Sequence, residues 1–170
     1  MKKVFLMSAA IFVFVTVSNA QKLGYSKGDK LLNIGLGLNS SYSGGLPIGI
    51  SFEIGITDAI SIGPNTDYFT YNYSGYKFTA LYFGVRGSYH FNELLKINDS
   101  KVDLYGGLNL GYRSFSWNDN FTYSADSYGS GIYLGGFIGG KYYFAEKVGG
   151  FVELGAIGST NARIGVAFKF

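Results

Sequence analysis

Residues 162–170 read Ala162-Arg163-Ile164-Gly165-Val166-Ala167-Phe168-Lys169-Phe170, and they alternate without a break. Ala162, Ile164, Val166, Phe168 and Phe170 share one face of a strand, because side chains in an extended chain point to opposite sides with period two. Arg163, Gly165, Ala167 and Lys169 take the other face. One face therefore needs an oily environment, while the other is small and carries isolated charges. A strand of a transmembrane β-barrel meets both conditions, with lipid on one side and a polar lumen on the other. A soluble strand ending this abruptly on an aromatic residue is unusual, since termini tend to fray into water.

The same alternation recurs through the chain. It predicts strands over residues 31–39, 47–56, 60–71, 78–91, 102–113, 130–144, 149–157 and 162–170. Pro64 interrupts the third of these and predicts a bulge or an early end, because proline cannot donate to a ladder. Eight strands of this length suit the smallest usual membrane barrel, and an even count leaves both ends of the sheet on one side. The expected fold is all-β: an eight-stranded antiparallel up-and-down transmembrane β-barrel over residues 31–170. Residues 21–30 read as a flexible polar lead-in. Residues 71–77 and 114–129 read as loops, the second being the longest.

Met1-Lys2-Lys3, an apolar run from Val4 to Val17, and Ser18-Asn19-Ala20 have the basic, oily and small-residue parts of a secretory signal peptide. The apolar run is shorter than the roughly 18 residues a membrane helix needs. Residues 1–20 are therefore expected to be removed before Gln21. Two of the 14 Lys and Arg residues lie in this leader, so the remainder is nearly balanced against 11 Asp and Glu. No basic patch for nucleic acid is left. Cysteine is absent, which removes disulfides, thiolate metal sites and a lipid-anchored N-terminus.

Alternation alone does not tell a membrane barrel from a soluble one. Composition of the polar face helps: Gly, Ser and Asn predominate, as the narrow interior of eight strands requires. The strand ends help further. Tyr89-His90-Phe91, Tyr142-Tyr143-Phe144 and Phe168-Lys169-Phe170 close three strands that run in the same direction. In each, the outer two aromatics fall on the apolar face, so Tyr89, Phe91, Tyr142, Phe144, Phe168 and Phe170 form a candidate periplasmic girdle. Tyr68, Tyr71, Tyr73, Tyr76, Phe115, Trp117, Phe121, Tyr123 and Tyr128 gather at the opposite ends as a candidate upper belt.

This pattern resembles the small outer-membrane β-barrel proteins of the OmpA/OmpX-like type, over nearly the whole chain after the leader. The resemblance implies a bacterial outer-membrane location, lipid as a partner, and insertion by the barrel assembly machinery, with Phe168-Lys169-Phe170 as its recognition signal. The upper loops are short apart from residues 114–129, a departure from a large adhesive surface.

On the lumen face lie Glu53, Arg86, Asp103, Lys141, Glu153 and Arg163, with Lys169 at the end. Isolated charges in a narrow interior are costly, so an ion-pair network across the lumen is expected. His90, the one histidine, faces the same way near the periplasmic end, a position unsuited to lipid-modifying chemistry at the outer leaflet. Asn118, Asp119, Asn120 and Asp126 lack the regular spacing of a calcium loop. No phosphate-binding glycine loop is present, and no metal or cofactor is expected. The expected function is a structural or surface-interaction barrel without enzymatic activity. The alternatives are a narrow channel or uptake barrel for small or apolar solutes, a lipid-modifying enzyme, and a secreted lipocalin-like barrel with its oily face inward.

Overall fold

The computed structural model describes residues 24–42, 44–73, 76–117 and 129–170. Eight strands run in chain order: β1 (Lys30–Gly37), β2 (Ile48–Gly55), β3 (Ile60–Tyr73), β4 (Tyr76–His90), β5 (Val102–Trp117), β6 (Gly131–Ala145), β7 (Val148–Gly155) and β8 (Ala162–Lys169). Each pairs antiparallel with its neighbours in sequence, and β1 pairs with β8 to close the barrel. The closing seam sets Leu32 opposite Phe168, Ile34 opposite Val166 and Leu36 opposite Ile164. Closure leaves no free sheet edge, a condition for any sheet that sits in hydrocarbon.

The faces divide as the alternation predicts. Leu81, Phe83 and Val85 on β4, Leu108 and Leu110 on β5, and Leu134 and Ile138 on β6 all point outward and are exposed. Arg86, Ser88 and His90 on β4, with Asp103, Tyr105 and Asn109 on β5, point inward and are buried. The oily side chains thus form a continuous outer belt that water would not tolerate and lipid would. This orientation excludes the lipocalin-like alternative, whose apolar face would turn inward.

Four local expectations change. Pro64 neither bulges nor ends β3. The β2–β3 ladder skips the pairs around Gly63 and Pro64 and resumes in the same register, Ser51 with Asn65 above and Ile54 with Ile62 below. On the other side Pro64 stays in register opposite Val85, so one gap absorbs the missing donor. Second, three strands run further than expected: β3 to Tyr73, β4 from Tyr76, and β5 to Trp117, with Phe78 opposite it; residues 71–73, 76–77 and 114–117 are strand rather than loop. Third, β7 ends at Gly155, and Ile157 folds inward against Tyr105 and Phe137. Fourth, the lead-in expected to be flexible is held against the barrel from Gly24 onward, where Gly24 and Tyr25 are buried. The leader (residues 1–20), residues 118–128 and their four candidate calcium ligands lie outside the described residues.

Two substitutions on neighbouring positions of β5 test the division of faces. Leu108→Arg puts a charge on the outer belt (62% exposed) and is expected to cost about 2–4 kcal/mol or prevent insertion. Asn109→Ser removes one 3.3 Å hydrogen bond to the Ala156 carbonyl and should cost under about 1 kcal/mol. Urea unfolding in phospholipid vesicles measures both; equal costs contradict the division.

Candidate functional site: the filled lumen and its two mouths

Strand parity delivers the six lumen charges to the interior, and an ion-pair cluster forms at their centre. Arg86 lies between two carboxylates: its Nε is 3.1 Å from Glu53 Oε1 and its terminal nitrogen donates to Glu153 Oε1 at 2.6 Å. All three are almost wholly buried. The Phe137 ring stacks under the guanidinium at 3.9 Å, and the Tyr105 hydroxyl donates to Glu153 at 2.9 Å. Ser61 and Ser88 both donate to Glu53 Oε2. Asp103 and Lys141 are directly opposite in the β5–β6 register, with Nζ 3.5 Å from Oδ2 and 4.3 Å from the Tyr105 ring.

Arg163 is opposite Glu153 in the β7–β8 register, yet its guanidinium reaches away to Asp67 and also donates to the Ile157 carbonyl at 3.0 Å. Asp67 in turn accepts from Ser159. Asp67 is absent from the sequence-based set because β3 was expected to be irregular beyond Pro64. Carrying the alternation straight through the proline puts Ser61, Asp67 and Phe69 on one inner face, and all three are buried. Gly49 makes room for this layer: a Cβ there would sit 2.2 Å from the Arg163 guanidinium carbon.

His90 has neighbours that alternation alone did not supply. Its Nδ1 lies 2.7 Å from Asp103 Oδ1 and its Nε2 3.0 Å from Ser61 Oγ. This order of groups is that of a hydrolytic triad, but the triad's function needs an exposed nucleophile whose proton goes to the imidazole. Ser61 is fully buried, and its hydroxyl donates to Glu53. Tyr25 then covers the group from the lead-in, its ring stacked on His90 at 3.5 Å and 4°. The Tyr25 hydroxyl lies 2.9 Å from the Thr57 carbonyl and 2.7 Å from that of Ile60. Burial above all, then the nearby Asp103, raises its pKa, so it remains a donor. Lys169, half-buried, holds the same segment by donating to the Gly24 carbonyl at 3.1 Å and covers the Tyr143 ring at 4.7 Å. Tyr25 was missed because a single aromatic in a polar lead-in carries no periodic signal.

At the rim beside the C-terminal strand end Tyr89, Tyr142, Phe144 and Phe170 are exposed, while Phe91 and Phe168 are half-buried. Tyr89 and Phe91 pack with ring centroids 5.3 Å apart. The opposite end departs from expectation. Tyr68 points outward, but Phe115 turns inward, stacked on Phe78 at 5.8 Å. Because β5 is longer than expected, odd-numbered residues continue on the lumen side. Phe115 thus lines a mouth rather than belting the outside, Tyr71 packs against the inner aromatic cluster, and Phe121, Tyr123 and Tyr128 lie outside the described residues. The mouth is a cup of about 340 Å³ lined by Tyr42, Tyr82, Arg113, Phe115, Tyr133 and Gly158, among others. Among the described residues no group of three or more His, Asp or Glu side chains is arranged to hold a metal.

Arg86→Met leaves Glu53 and Glu153 buried without their cation and is expected to cost about 3–5 kcal/mol. Adding Glu53→Gln and Glu153→Gln to that variant should recover most of the loss, read by the same urea titration. No recovery would mean that packing rather than charge balance dominates there.

The sequence matches no protein-family model and no curated protein. Among solved structures the barrel is similar to the outer membrane protein OprG from Pseudomonas aeruginosa, with 13% identity and a TM-score of 0.56 over 87% of this chain and 99% of that one. It is similar to the N-terminal β-barrel domain of Pseudomonas aeruginosa OprF, with 19% identity and a TM-score of 0.52 over 85% and 98%. It also resembles Ail, the attachment invasion locus protein of Yersinia pestis, with 12% identity and a TM-score of 0.51 over 85% and 99%. At these identities the likeness is one of fold: the chain has the architecture of the small eight-stranded outer-membrane barrels.

Proposed function

We propose that this protein is an integral barrel of the bacterial outer membrane with a structural or surface-interaction role, a closed lumen and no enzymatic activity. The observation that carries the reading is Arg86, 2% exposed, clamped between Glu53 and Glu153 with the Phe137 ring against it. Eight strands enclose space for side chains rather than for a water column, and here a charged cluster fills that space. Glu53, Arg86, Asp103, Lys141, Glu153 and Arg163 act as an internal scaffold that fixes the barrel's shape. The periplasmic aromatics seat it at the lipid interface. Outer-membrane lipid is its constant partner, and the extracellular rim is the surface open to others. The buried Ser61 argues against hydrolysis, and Tyr25 across the periplasmic end argues against the narrow-channel alternative.

The C-terminal strand is the element the barrel assembly machinery reads. Lys30 and Phe170 exchange both backbone hydrogen bonds at the seam, at 3.2 and 3.0 Å, so removing Phe170 also shortens the closing ladder. Deleting it should slow assembly in cells, followed by pulse-chase appearance of the folded band; an unchanged rate contradicts the signal.

Conductance tests the closed lumen. Purified protein in planar bilayers is expected to give no stable single-channel steps. Reproducible steps would overturn the closed barrel in favour of a solute channel.

A further inference from the structure

Above the Arg163–Asp67 pair the lumen changes character. Tyr42, Tyr82, Phe115 and Tyr133 wall a blind cup, with Phe69 and Phe78 buried behind them. Tyr82 meets Tyr133 edge-on at 5.1 Å, and its hydroxyl lies 2.5 Å from that of Tyr42. Ala156 and Gly158 line its floor, where the Gly158 amide donates to the Tyr133 hydroxyl at 2.9 Å and Gly158 packs on Asp67, the partner of Arg163. One cation stands in this aromatic wall. Arg113 lies 5.7 Å over the Phe115 ring, next to Tyr82. Among the described residues no carboxylate pairs with Arg113, and its Nε is buried without a hydrogen-bond partner. Every other arginine of the lumen has an acidic partner. Leaving a guanidinium nitrogen dry and unpaired is costly, so the arrangement favours an occupant that brings an acceptor.

We propose that the cup is a binding site for a compact planar ligand carrying one anionic group, with Arg113 holding the anion and the tyrosine and phenylalanine walls holding the ring. A guanidinium presents a flat fork of donors that matches a carboxylate or sulfate, and aromatic walls favour a flat apolar body. The volume of about 340 Å³ admits one or two fused rings. Because Asp67 is committed to Arg163 and Ser159, nothing on the floor repels the anion uncompensated. The inference goes beyond the closed-barrel reading and draws on it only for the floor; binding is measured at equilibrium, so its failure is separate from any result in a planar bilayer.

The probes are 2-naphthoate, its neutral isostere 2-naphthamide, and inorganic phosphate, each titrated by calorimetry into the full chain folded in detergent micelles. 2-Naphthoate is expected to bind saturably, about tenfold or more tighter than either comparator. Arg113→Gln should weaken 2-naphthoate by about tenfold and leave 2-naphthamide unchanged, with Arg113→Lys in between. Retention of the compact, heat-modifiable band by both variants establishes that they fold. Equal binding of naphthoate and naphthamide, absence of saturable naphthoate binding, or an Arg113→Gln affinity within twofold of the parent would each overturn the proposal. Phosphate binding as tight as naphthoate would overturn the part played by the aromatic walls.

Discussion

An arginine held between two glutamates inside a tube eight strands wide is the constraint around which this barrel is arranged. Nothing in so narrow an interior can be hydrated as in bulk water, so each charge must find its partner within the lumen, across it or on the neighbouring strand. Arg86 does so with Glu53 and Glu153, while Ser61 and Ser88 donate to the second oxygen of Glu53 and Tyr105 shares Glu153 Oε1 with the guanidinium. The glycines of the inner face follow from the same constraint. Gly49 stands where Arg163 must pass, and Gly139 where the Tyr105 ring comes within 2.8 Å of a Cβ position. Large polar side chains on some strands require nearly bare backbone on others.

The two ends of the lumen are finished differently. At the end beside Phe170 the lead-in folds over the lumen: Tyr25 caps His90, Lys169 fastens Gly24, and the Gly28 amide bonds the Gly55 carbonyl at 2.9 Å. At the other end the strands extend past the charged layers, and inward parity converts their aromatics into the wall of a cup.

Much of this architecture was legible from period two alone. The assignment of faces on β4 and β5 follows residue by residue from Leu81, Phe83 and Val85 against Tyr82, Arg86 and His90, since a strand in a closed barrel has no freedom to rotate. The failures have specific causes. Asp67 was lost at Pro64, where a missing donor was expected to break the register and instead left one gap in one ladder. Phe115 was read as part of a loop because Ser114 and Ser116 lowered the strand signal, yet the pairing with β4 continues to Trp117. Pair identities were beyond reach: register puts Arg163 beside Glu153, but side-chain length lets it choose Asp67. Tyr25 had no pattern to declare it, because its contacts are made with residues more than thirty positions away.

The claim that supports the rest is that β5 shows lipid one face and a packed, dry interior the other. The chain has no cysteine, so single nitroxide labels can be attached cleanly at positions 108, 109 and 110 in protein reconstituted into vesicles. Collision rates with oxygen, which dissolves in hydrocarbon, and with a water-soluble nickel chelate then report each environment. Labels at 108 and 110 are predicted to meet oxygen freely and nickel hardly at all, while the label at 109 meets neither. High nickel accessibility at 109 would mean a water-filled lumen, and at 108 and 110 an aqueous outer surface; either result would contradict the account.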